Sequence, residues 1–413
     1  MKKFYIMLAA LSVTASMAAQ QLPNAGFEDD WAACSPYTGG ETTTSGTTPA
    51  AWTIANVAGY KIKIFGWTEW TGKTTVGDKT EGYESASAVL LKNSPNSVVK
   101  TQTVPGYITL GTTWNTANTK GAEKDGGSFG GIDFAYRPDA ILFDYKRTLA
   151  EGSNEQATVI AYTWTGSTSQ ADVPVSIGSK PTITTMVNRD RNILDMETAK
   201  GGDVTKSDDF KLVSKINYAI QEAQDTWKSL EIPFEYLSDK TPEKINVIFG
   251  AGNYFSTEPE QGNELTVDNV KLVYYSRLSG LKFKNADIEG FDPDKFYYAL
   301  DEVMPTNKAD LKATTLGKSG VAKAAIELDH QNSLAKITVT NADGNDADDK
   351  DSHVYTVQFL PAGSSINDVI DMTTADVRYV DLYGNAVAAD ALVNGQTYIK
   401  LVNGKATKVI ANN

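Results

Sequence analysis

Three tryptophans lie in polar stretches of the chain, where no apolar run accounts for their rings. Trp67 and Trp70 belong to the segment GWTEWTG, which has turn character, and Trp114 belongs to TTWNTANTKG, which is rich in Thr and Asn. Large aromatic side chains exposed on loops are typical of binding surfaces. Such rings stack on the apolar faces of sugars while Asn, Asp and Gln bond the hydroxyl groups. We predict that these three residues bind a glycan; packing beneath a long loop is the alternative.

Three other tryptophans lie in strand-like contexts of the sequence. We assign Trp31, Trp52 and Trp227 to packing on this basis. Trp164 ends a predicted strand, and its context does not decide between the interior and a ligand surface.

Two carboxylates that are distant in sequence are candidates for a metal site. Glu28 lies near the first predicted strand, and Asp268 lies on the last predicted strand of the first domain. The first and last strands of a jelly roll commonly lie together, so both side chains can reach one ion. Ca²⁺ takes about six to eight oxygen ligands, some of them backbone carbonyls. We predict a structural Ca²⁺ at Glu28 and Asp268; turn capping or pairing with Lys or Arg is the alternative.

The segment around Asp268 also contains a change of phase in its apolar alternation. Leu265 and Val267 alternate in one register, and Val270 and Leu272 alternate in the other. One extra residue near Asp268 restores the alternation, so we predict a β-bulge there. Bulges re-aim side chains and are common beside functional sites.

A further acidic cluster runs from Asp343 to Asp351. It partly matches a calcium-binding EF-hand loop, but it lacks the glycine at the sixth position and the terminal glutamate. We therefore predict a solvated hairpin tip.

The residues needed for a serine hydrolase are not brought together by the sequence. Gly126 to Gly130 matches the Gly-x-Ser-x-Gly pattern of a nucleophile elbow. That elbow needs a strand before it, a helix after it and a histidine base within reach. This segment lies in a Gly-rich turn, and both histidines, His330 and His353, fall in the predicted second domain. We exclude this chemistry.

A glycoside hydrolase stays open as an alternative. It needs two carboxylates across one cleft, roughly 5–10 Å apart. Glu69, Asp133, Asp139 and Asp144 lie near aromatic or Gly-rich motifs and could supply them. Ion pairing or turn capping is the role we favour for these residues, so we lean against an enzyme.

The charge of the chain argues against a nucleic-acid partner. The formal net charge is −13, and the sequence has no basic stripe that could release counterions from a phosphate backbone. An acidic surface rich in Thr, Gly and aromatic residues suits a neutral hydroxylated ligand or Ca²⁺. Cys34 is the single cysteine, so the chain has no intramolecular disulfide.

The N-terminus predicts export from the cell. Lys2 and Lys3 precede an apolar run from Phe4 to Val13, and small residues follow from Ala15 to Ala19. This order is that of a secretory signal peptide, which we place at residues 1–19. The apolar run is too short to cross a bilayer, and no later stretch reaches the roughly 20 apolar residues of a membrane span. No cysteine stands at the cleavage point to carry a lipid.

Period-two alternation recurs along the chain and predicts strands. Ile141, Phe143 and Tyr145 form one such run, and the segment from Lys211 to Asp225 favours strands over a helix. Many short strands separated by Gly and Asn turns indicate an all-β fold of sandwich or jelly-roll type. We predict a jelly-roll carbohydrate-binding domain over residues 20–276, an immunoglobulin-like β-sandwich spacer over 277–362, and a short β-rich module over 363–413.

Three motifs follow one another through the first domain. Gln21 to Trp31 reads QLPNAGFEDDW, with Pro49 and Trp52 after it; Gly130 to Arg147 reads GGIDFAYRPDAILFDYKR; and Leu265 to Tyr275 reads LTVDNVKLVYY. Together they resemble the "putative carbohydrate metabolism domain" family, which comprises secreted jelly-roll proteins of gut bacteria.

This resemblance implies a galactose-binding-like β-sandwich encoded near glycan-utilisation genes. It implies a biological setting and not a reaction. Carbohydrate-binding modules of this architecture often hold a structural Ca²⁺ through a Gly-Phe-Glu motif and an aspartate before the closing strand. Glu28 and Asp268 match those two positions.

The end of the chain, VRYVDLYGNAV followed by GQTYIKLVNGKATKV, looks like the C-terminal sorting domain of type IX secretion. An ordinary terminal β-hairpin is the alternative. The resemblance implies contact with the outer-membrane secretion machinery. We therefore expect the protein at the cell surface or outside the cell, with the periplasm as the second choice.

These observations favour a secreted or surface protein that binds a polysaccharide or oligosaccharide and takes part in carbohydrate utilisation. A glycan-cleaving enzyme is one alternative. A structural or adhesive surface protein is the other.

Overall fold

The computed structural model of the chain is almost entirely β. Within the described residues, regular structure consists of strands and two 3₁₀ turns, Lys308–Asp310 and Ala389–Ala391, which confirms the all-β prediction. None of these residues forms a helix that could span a bilayer. The structure describes residues 20–33, 37–38, 46–64, 68–97, 100–115, 126–166, 168–177, 180–187, 205–206, 211–256, 258–317, 322–341, 346–348, 350–360, 377–381, 385–393, 395–402 and 405–411.

The N-terminal two thirds of the chain contains 24 of the strands. They are, in chain order, β1 (Trp31–Ala33), β2 (Tyr37–Thr38), β3 (Thr47–Pro49), β4 (Thr53–Ile54), β5 (Val57–Ile64), β6 (Thr68–Thr74), β7 (Gly77–Thr80), β8 (Ala88–Lys92), β9 (Ser94–Pro95), β10 (Thr103–Val104), β11 (Tyr107–Thr109), β12 (Thr112–Asn115), β13 (Gly126–Phe129), β14 (Ile132–Asp133), β15 (Ala140–Thr148), β16 (Ala157–Thr165), β17 (Thr168–Ile177), β18 (Lys180–Val187), β19 (Thr205–Lys206), β20 (Lys211–Ile220), β21 (Gln224–Pro233), β22 (Glu235–Tyr236), β23 (Lys244–Gly250) and β24 (Glu264–Val273).

Two antiparallel sheets built from these strands form a sandwich. Sheet A has the order β22-β20-β16-β23-β11-β4, and β14 also pairs with β23. Sheet B has the order β21-β15-β24-β8-β7. Since β21 ends the order of sheet B, it is an edge strand.

The alternation of β15 shows how the sandwich core forms. Ile141, Phe143 and Tyr145 are buried, whereas Asp144 and the other intervening residues are only partly covered. The buried face meets sheet A, because the ring of Phe143 lies 5.0 Å from that of Phe249 on β23 in an edge-to-face contact. Full burial of such a side chain stabilises the fold by roughly 1.5–3 kcal/mol. The apolar faces of the two sheets therefore form one core.

The predicted β-bulge is present in β24. Leu142 on β15 pairs with Lys271, but the next aligned pair is Asp144 with Asp268. Two residues of β24 thus oppose one residue of β15. Asn269 lies at this point with a left-handed backbone (φ 49°), a conformation that Asn tolerates better than most residues. The bulge confirms the sequence-based prediction.

The rest of the chain adds smaller antiparallel sheets. One has the order β26-β25-β28, and another, near the C-terminus, has the order β33-β32-β34-β35. The predicted boundaries at residues 276 and 362 stay predictions. The remaining strands are β25 (Leu278–Phe283), β26 (Ala286–Asp287), β27 (Tyr297–Leu300), β28 (Leu311–Thr315), β29 (Lys323–Asp329), β30 (Leu334–Thr340), β31 (Ser352–Phe359), β32 (Val377–Val380), β33 (Ala386–Val387), β34 (Thr397–Val402) and β35 (Lys405–Ile410).

Candidate functional site

Asp268 fastens the loop that precedes β8. Its Oδ2 atom accepts hydrogen bonds from the Tyr83 backbone N–H at 2.7 Å and from the Ser85 hydroxyl at 2.7 Å. Its Oδ1 atom accepts from the backbone N–H of Asn269 at 2.7 Å. The side chain is fully buried, so these three donors replace the water that a carboxylate would otherwise bind.

Glu28 holds the same loop from its other end. Its Oε1 atom accepts a hydrogen bond from the Ser87 backbone N–H at 2.9 Å. The structure therefore brings the two predicted metal ligands, Glu28 and Asp268, to one loop of about six residues. We call residues 82–87 the anchored loop.

The turn that carries Glu28 is fixed by packing and by the bulge. Phe27 has a left-handed backbone (φ 57°) and is fully buried. Its ring lies 5.4 Å from that of Trp52 in an edge-to-face contact. The backbone N–H of Val270, in the bulge, donates to the carbonyl of Ala25 at 2.9 Å. Glu28 is thus positioned by the apolar core on one side and by β24 on the other.

Burial dominates the electrostatics of Asp268. Burial raises the pKa of Asp268, hydrogen bonds from Ser85 and the backbone lower it, and the negative charge of Glu28 raises it, with a net upward shift. The hydroxyl oxygen of Ser87 is buried without a hydrogen-bond partner. Among the described residues no group of three or more His, Cys, Asp or Glu side chains could hold a metal. Further ligands for Ca²⁺ would therefore be hydroxyl or carbonyl oxygens, which Ca²⁺ accepts.

An aromatic pair connects the anchored loop to β21. The ring of Tyr83 lies 5.7 Å from that of Trp227 on β21, with 34° between their planes. Tyr83 is 36% exposed, and Trp227 is partly exposed. The ammonium nitrogen of Lys146 on β15 lies 4.6 Å from the centre of the Trp227 ring, which is a cation–π contact.

Polar side chains border the aromatic pair. The Oδ2 atom of Asp144 accepts a hydrogen bond from Asn269 Nδ2 at 3.0 Å, and its Oδ1 atom accepts one from the Ser229 hydroxyl. The Asn269 amide also donates to the carbonyl of Tyr83 at 3.2 Å. These contacts join β15, β21, β24 and the anchored loop. We call Tyr83, Asp144, Lys146, Trp227, Ser229 and Asn269 the outer-face site.

The sequence-based assignment of Trp227 to packing is not what the structure shows. Trp52 is buried (3% exposed) and Trp31 packs partly against the core, as expected. Trp164, which the sequence left open, is buried as well (4% exposed). Trp227 lies instead on an edge strand with partial exposure, where its ring meets Tyr83. The partners of Trp227, which are Tyr83 and Lys146, come from distant segments of the sequence.

The three predicted glycan-binding tryptophans fall in different places. Trp67 lies outside the described residues. Trp70 lies in β6 and pairs with Ile62 of β5, and Trp114 lies in β12, paired with Gly127 on one side. The backbone at both positions is therefore a strand and not the predicted loop. Their role in ligand binding stays a prediction.

The Gly-x-Ser-x-Gly segment has a structural role. Ser128 is fully buried, and its hydroxyl lies 2.6 Å from the hydroxyl of Thr109 and 3.0 Å from the Asn246 amide nitrogen. The segment forms β13 and does not lead into a helix. Ser128 therefore lacks the exposure and the setting of a nucleophile.

The carboxylates considered for glycosidase chemistry have different environments. Asp133 forms an ion pair with Lys244 at 2.5 Å on the protein surface. Asp139 is buried and accepts a hydrogen bond from the Tyr275 backbone N–H at 2.8 Å. Glu69 lies in β6. Of the candidates whose side chains are described, Asp144 shares a surface with the rings of Tyr83 and Trp227.

The acidic segment from Asp343 to Asp351 is not merely a solvated tip. Asp346 is 1% exposed and accepts a hydrogen bond from the Ser276 backbone N–H at 2.9 Å. His353 bridges the Ser276 hydroxyl, at 2.8 Å, and Asp348, at 2.9 Å. Burial works to raise the pKa of Asp348, but His353 and nearby cations outweigh it and lower this pKa to about 2. These buried contacts fasten the start of β25, so part of the segment is structural.

Comparisons with known proteins leave the family open. The chain matches no protein-family model, and no curated protein matches it significantly. It is similar to a "putative glycoside hydrolase" from Bacteroides thetaiotaomicron, with 14% identity and a TM-score of 0.31 over 57% of this chain and 75% of that one. The M60 catalytic domain with CBM51-1 and CBM51-2 from Clostridium perfringens ZmpB gives 7% identity and a TM-score of 0.15 over 90% of this chain and 33% of that one. Similarities this low decide neither fold nor activity.

Proposed function

We propose that the chain is an exported glycan-binding protein that takes part in carbohydrate utilisation. The outer-face site carries this proposal, because it combines the exposed ring of Tyr83 and the partly exposed ring of Trp227 with hydrogen-bonding groups beside one sheet face. A pyranose has an apolar C–H face that stacks on such rings and hydroxyl groups that bond carboxylate and amide side chains.

The size of the site sets the affinity to expect. Each ring contact contributes about 0.5–1.5 kcal/mol beyond area burial, and a hydrogen bond to a charged group contributes about 1.5–3 kcal/mol. Association costs entropy, which must be subtracted from these contributions. A site of two rings and a few polar groups is then expected to have a dissociation constant in the micromolar to millimolar range, which corresponds to a binding free energy of about 4–8 kcal/mol.

The test is binding without turnover. Purified mature protein is expected to be retained in affinity gels and to bind on a glycan array without releasing reducing sugar. Trp227→Ala is expected to weaken retention at least tenfold, because it removes the larger ring. Tyr297→Ala, which removes an exposed aromatic ring (55% exposed) outside the site, is the matched control and should bind like the wild type.

Three results would count against the proposal. Release of reducing sugar that one carboxylate substitution abolishes would establish a glycan-cleaving enzyme. Binding to no glycan would favour the structural or adhesive alternative. The third result is that Trp227→Ala is retained like the wild type while a Trp67→Ala/Trp70→Ala double variant is not. Glycan would then bind at the tryptophans predicted from the sequence, and Trp114→Ala would test the third of them.

A structural Ca²⁺ ion at Glu28 and Asp268 is part of the proposal. These carboxylates and the Ser87 hydroxyl would hold it, and the ion would supply positive charge that links the N-terminal turn to the anchored loop. A cation that binds only the folded state stabilises that state. At a free cation concentration 100 times the dissociation constant, the stabilisation is about 2.7 kcal/mol. We therefore expect EDTA to lower the melting temperature of the wild type. Glu28→Gln should melt at the same temperature with and without EDTA; a wild type indifferent to EDTA contradicts the site.

Export through residues 1–19 and release at the surface or outside the cell complete the proposal. The C-terminal module would then serve as a sorting domain for the outer-membrane secretion machinery. The predicted signal peptide and the C-terminal motifs support this placement.

A further inference from the structure

We infer that the outer-face site selects uncharged sugars over acidic ones, such as uronic, sialylated or sulfated sugars, and that Asp144 is its specificity-determining residue. This preference rests on the proposed function, since it names the ligand class of the same site.

Asp144 occupies the middle of the site in a fixed orientation. It lies on β15 between the two strands that carry its partners, because Asp144 pairs with Ser229 of β21 and with Asp268 of β24. One carboxylate oxygen is held by the Ser229 hydroxyl, and the other is held by Asn269 Nδ2 at 3.0 Å. A carboxylate held from two sides loses little freedom when a ligand binds.

The chemistry of a fixed carboxylate suits hydroxyl groups. An ionised carboxylate is an acceptor with about four lone-pair sites, and two of these sites are used by Ser229 and Asn269. The remaining sites can accept from sugar hydroxyls, in strong charge-assisted bonds. A ligand carboxylate or sulfate offers no such donor and repels Asp144 instead.

The charge of Asp144 acts in the same direction. Asp144 is the carboxylate of the outer-face site, whereas the nearby Glu28 and Asp268 are the carboxylates that the proposed Ca²⁺ would neutralise. The Lys146 ammonium lies over the Trp227 ring. An acidic group placed against the free lone pairs of Asp144 would therefore meet like charge at short range. At a separation of a few ångströms near a protein surface, such repulsion corresponds to at least a tenfold loss of affinity.

The long-range field of the chain can be separated from this local effect. The net charge of −13 repels any anion, but salt screens that field beyond about 8–10 Å. Contacts within the site are screened much less. A preference for neutral sugars that Asp144 causes should therefore persist at 0.5 M NaCl. A preference that the net charge of the chain causes should disappear at that salt concentration.

The experiment uses the mature full-length protein and matched glycan pairs. Each neutral oligosaccharide on an array is paired with a derivative whose 6-hydroxymethyl groups are oxidised to carboxylates, at 0.1 and 0.5 M NaCl. We expect the wild type to bind the neutral member at least tenfold more tightly at both salt concentrations. Asp144→Asn should reduce this ratio to about threefold or less. Asp133→Asn, which removes an exposed carboxylate on the other sheet, should keep the wild-type ratio.

Lys146→Gln keeps the test informative if Asp144→Asn folds poorly, as checked by circular dichroism. Removing this ammonium should widen the preference for the neutral member. Equal or tighter binding of acidic members by the wild type would overturn the inference and leave glycan binding standing. An unchanged ratio in folded Asp144→Asn would overturn the role of that residue. Failure to bind any member would overturn the proposed function and this inference with it.

Discussion

Replacing Glu155 with Ala is expected to lower the free energy of unfolding by about 3 kcal/mol, because one carboxylate satisfies four donors. Its Oε2 atom accepts from the side-chain amides of Asn93 and Asn263, both at 2.9 Å, and from the Glu260 backbone N–H at 3.0 Å. Its Oε1 atom accepts from the Asn253 backbone N–H at 3.1 Å.

The cost follows from how deeply the partners of Glu155 are buried. Asn93 and Asn263 are fully buried, and each also accepts a backbone hydrogen bond, from Gly106 at 3.0 Å and from Ala150 at 2.9 Å respectively. A buried donor left without an acceptor costs about 1–3 kcal/mol. Water can reach part of the vacated space because Glu155 itself is partly exposed. The total loss of stability therefore stays near the cost of leaving one or two buried donors without an acceptor.

Urea unfolding measures this effect. Glu155→Gln keeps the shape of the side chain and one of its two acceptor oxygens, so it should lose about half as much stability as Glu155→Ala. Glu151→Ala, an exposed neighbour, is the control and should unfold within about 0.5 kcal/mol of the wild type. A Glu155→Ala variant as stable as that control would show that the four hydrogen bonds contribute little.

Local patterns in the sequence predicted the strands and the bulge correctly. The segment from Lys211 forms the strand β20, as its alternation indicated. The bulge at Asp268 was visible because one extra residue shifts the phase of every following apolar side chain. Glu28 and Asp268 were paired on the expectation that the first and last strands lie together; in the structure β24 lies between β15 and β8, and the anchored loop joins the two carboxylates. The strands and the bulge depend on strand geometry, which the sequence encodes locally.

The outer-face site was missed because its members meet only through tertiary structure. Tyr83, Lys146 and Trp227 come from three separate segments of the sequence. Alternation indicates that Trp227 lies on a strand, but it does not show whether another layer covers that face. Conversely, the polar, Thr-rich setting of Trp70 and Trp114 indicated turns. Thr is β-branched and favours extended backbone, so strand pairing formed there instead.

Replacing Asp268 with Ala is expected to lower stability by about 2 kcal/mol and to weaken glycan retention at least tenfold, although this buried residue touches no ligand. In metal-free buffer the loss of stability combines two opposing effects. The donors from Tyr83, Ser85 and Asn269 lose their acceptor, which costs stability. Removing a desolvated charge beside Glu28 recovers part of that cost.

The pH dependence separates these two effects. The pKa of Asp268 is raised in the folded state, so the folded chain binds this proton more tightly than the unfolded chain does. Its contribution to stability is therefore present at low pH and is lost as the pH rises through the folded-state pKa. In metal-free buffer, Asp268→Asn cannot bind that proton. Its stability relative to the wild type should rise between pH 4 and pH 8, as urea unfolding at several pH values will show; an unchanged difference contradicts the raised pKa.

Loss of binding in Asp268→Ala follows from the position of Tyr83. Asp268 holds the Tyr83 N–H at 2.7 Å, and Asn269 holds the Tyr83 carbonyl at 3.2 Å, so β24 sets where this ring stands against Trp227. With the first bond gone, the ring must be ordered by the ligand, and that ordering lowers affinity. Ser85→Ala removes one donor to Asp268 and leaves the bond to Tyr83, so it should bind glycan nearly as well as the wild type. Retention by Asp268→Ala equal to that of Ser85→Ala would show that Tyr83 is positioned by other contacts.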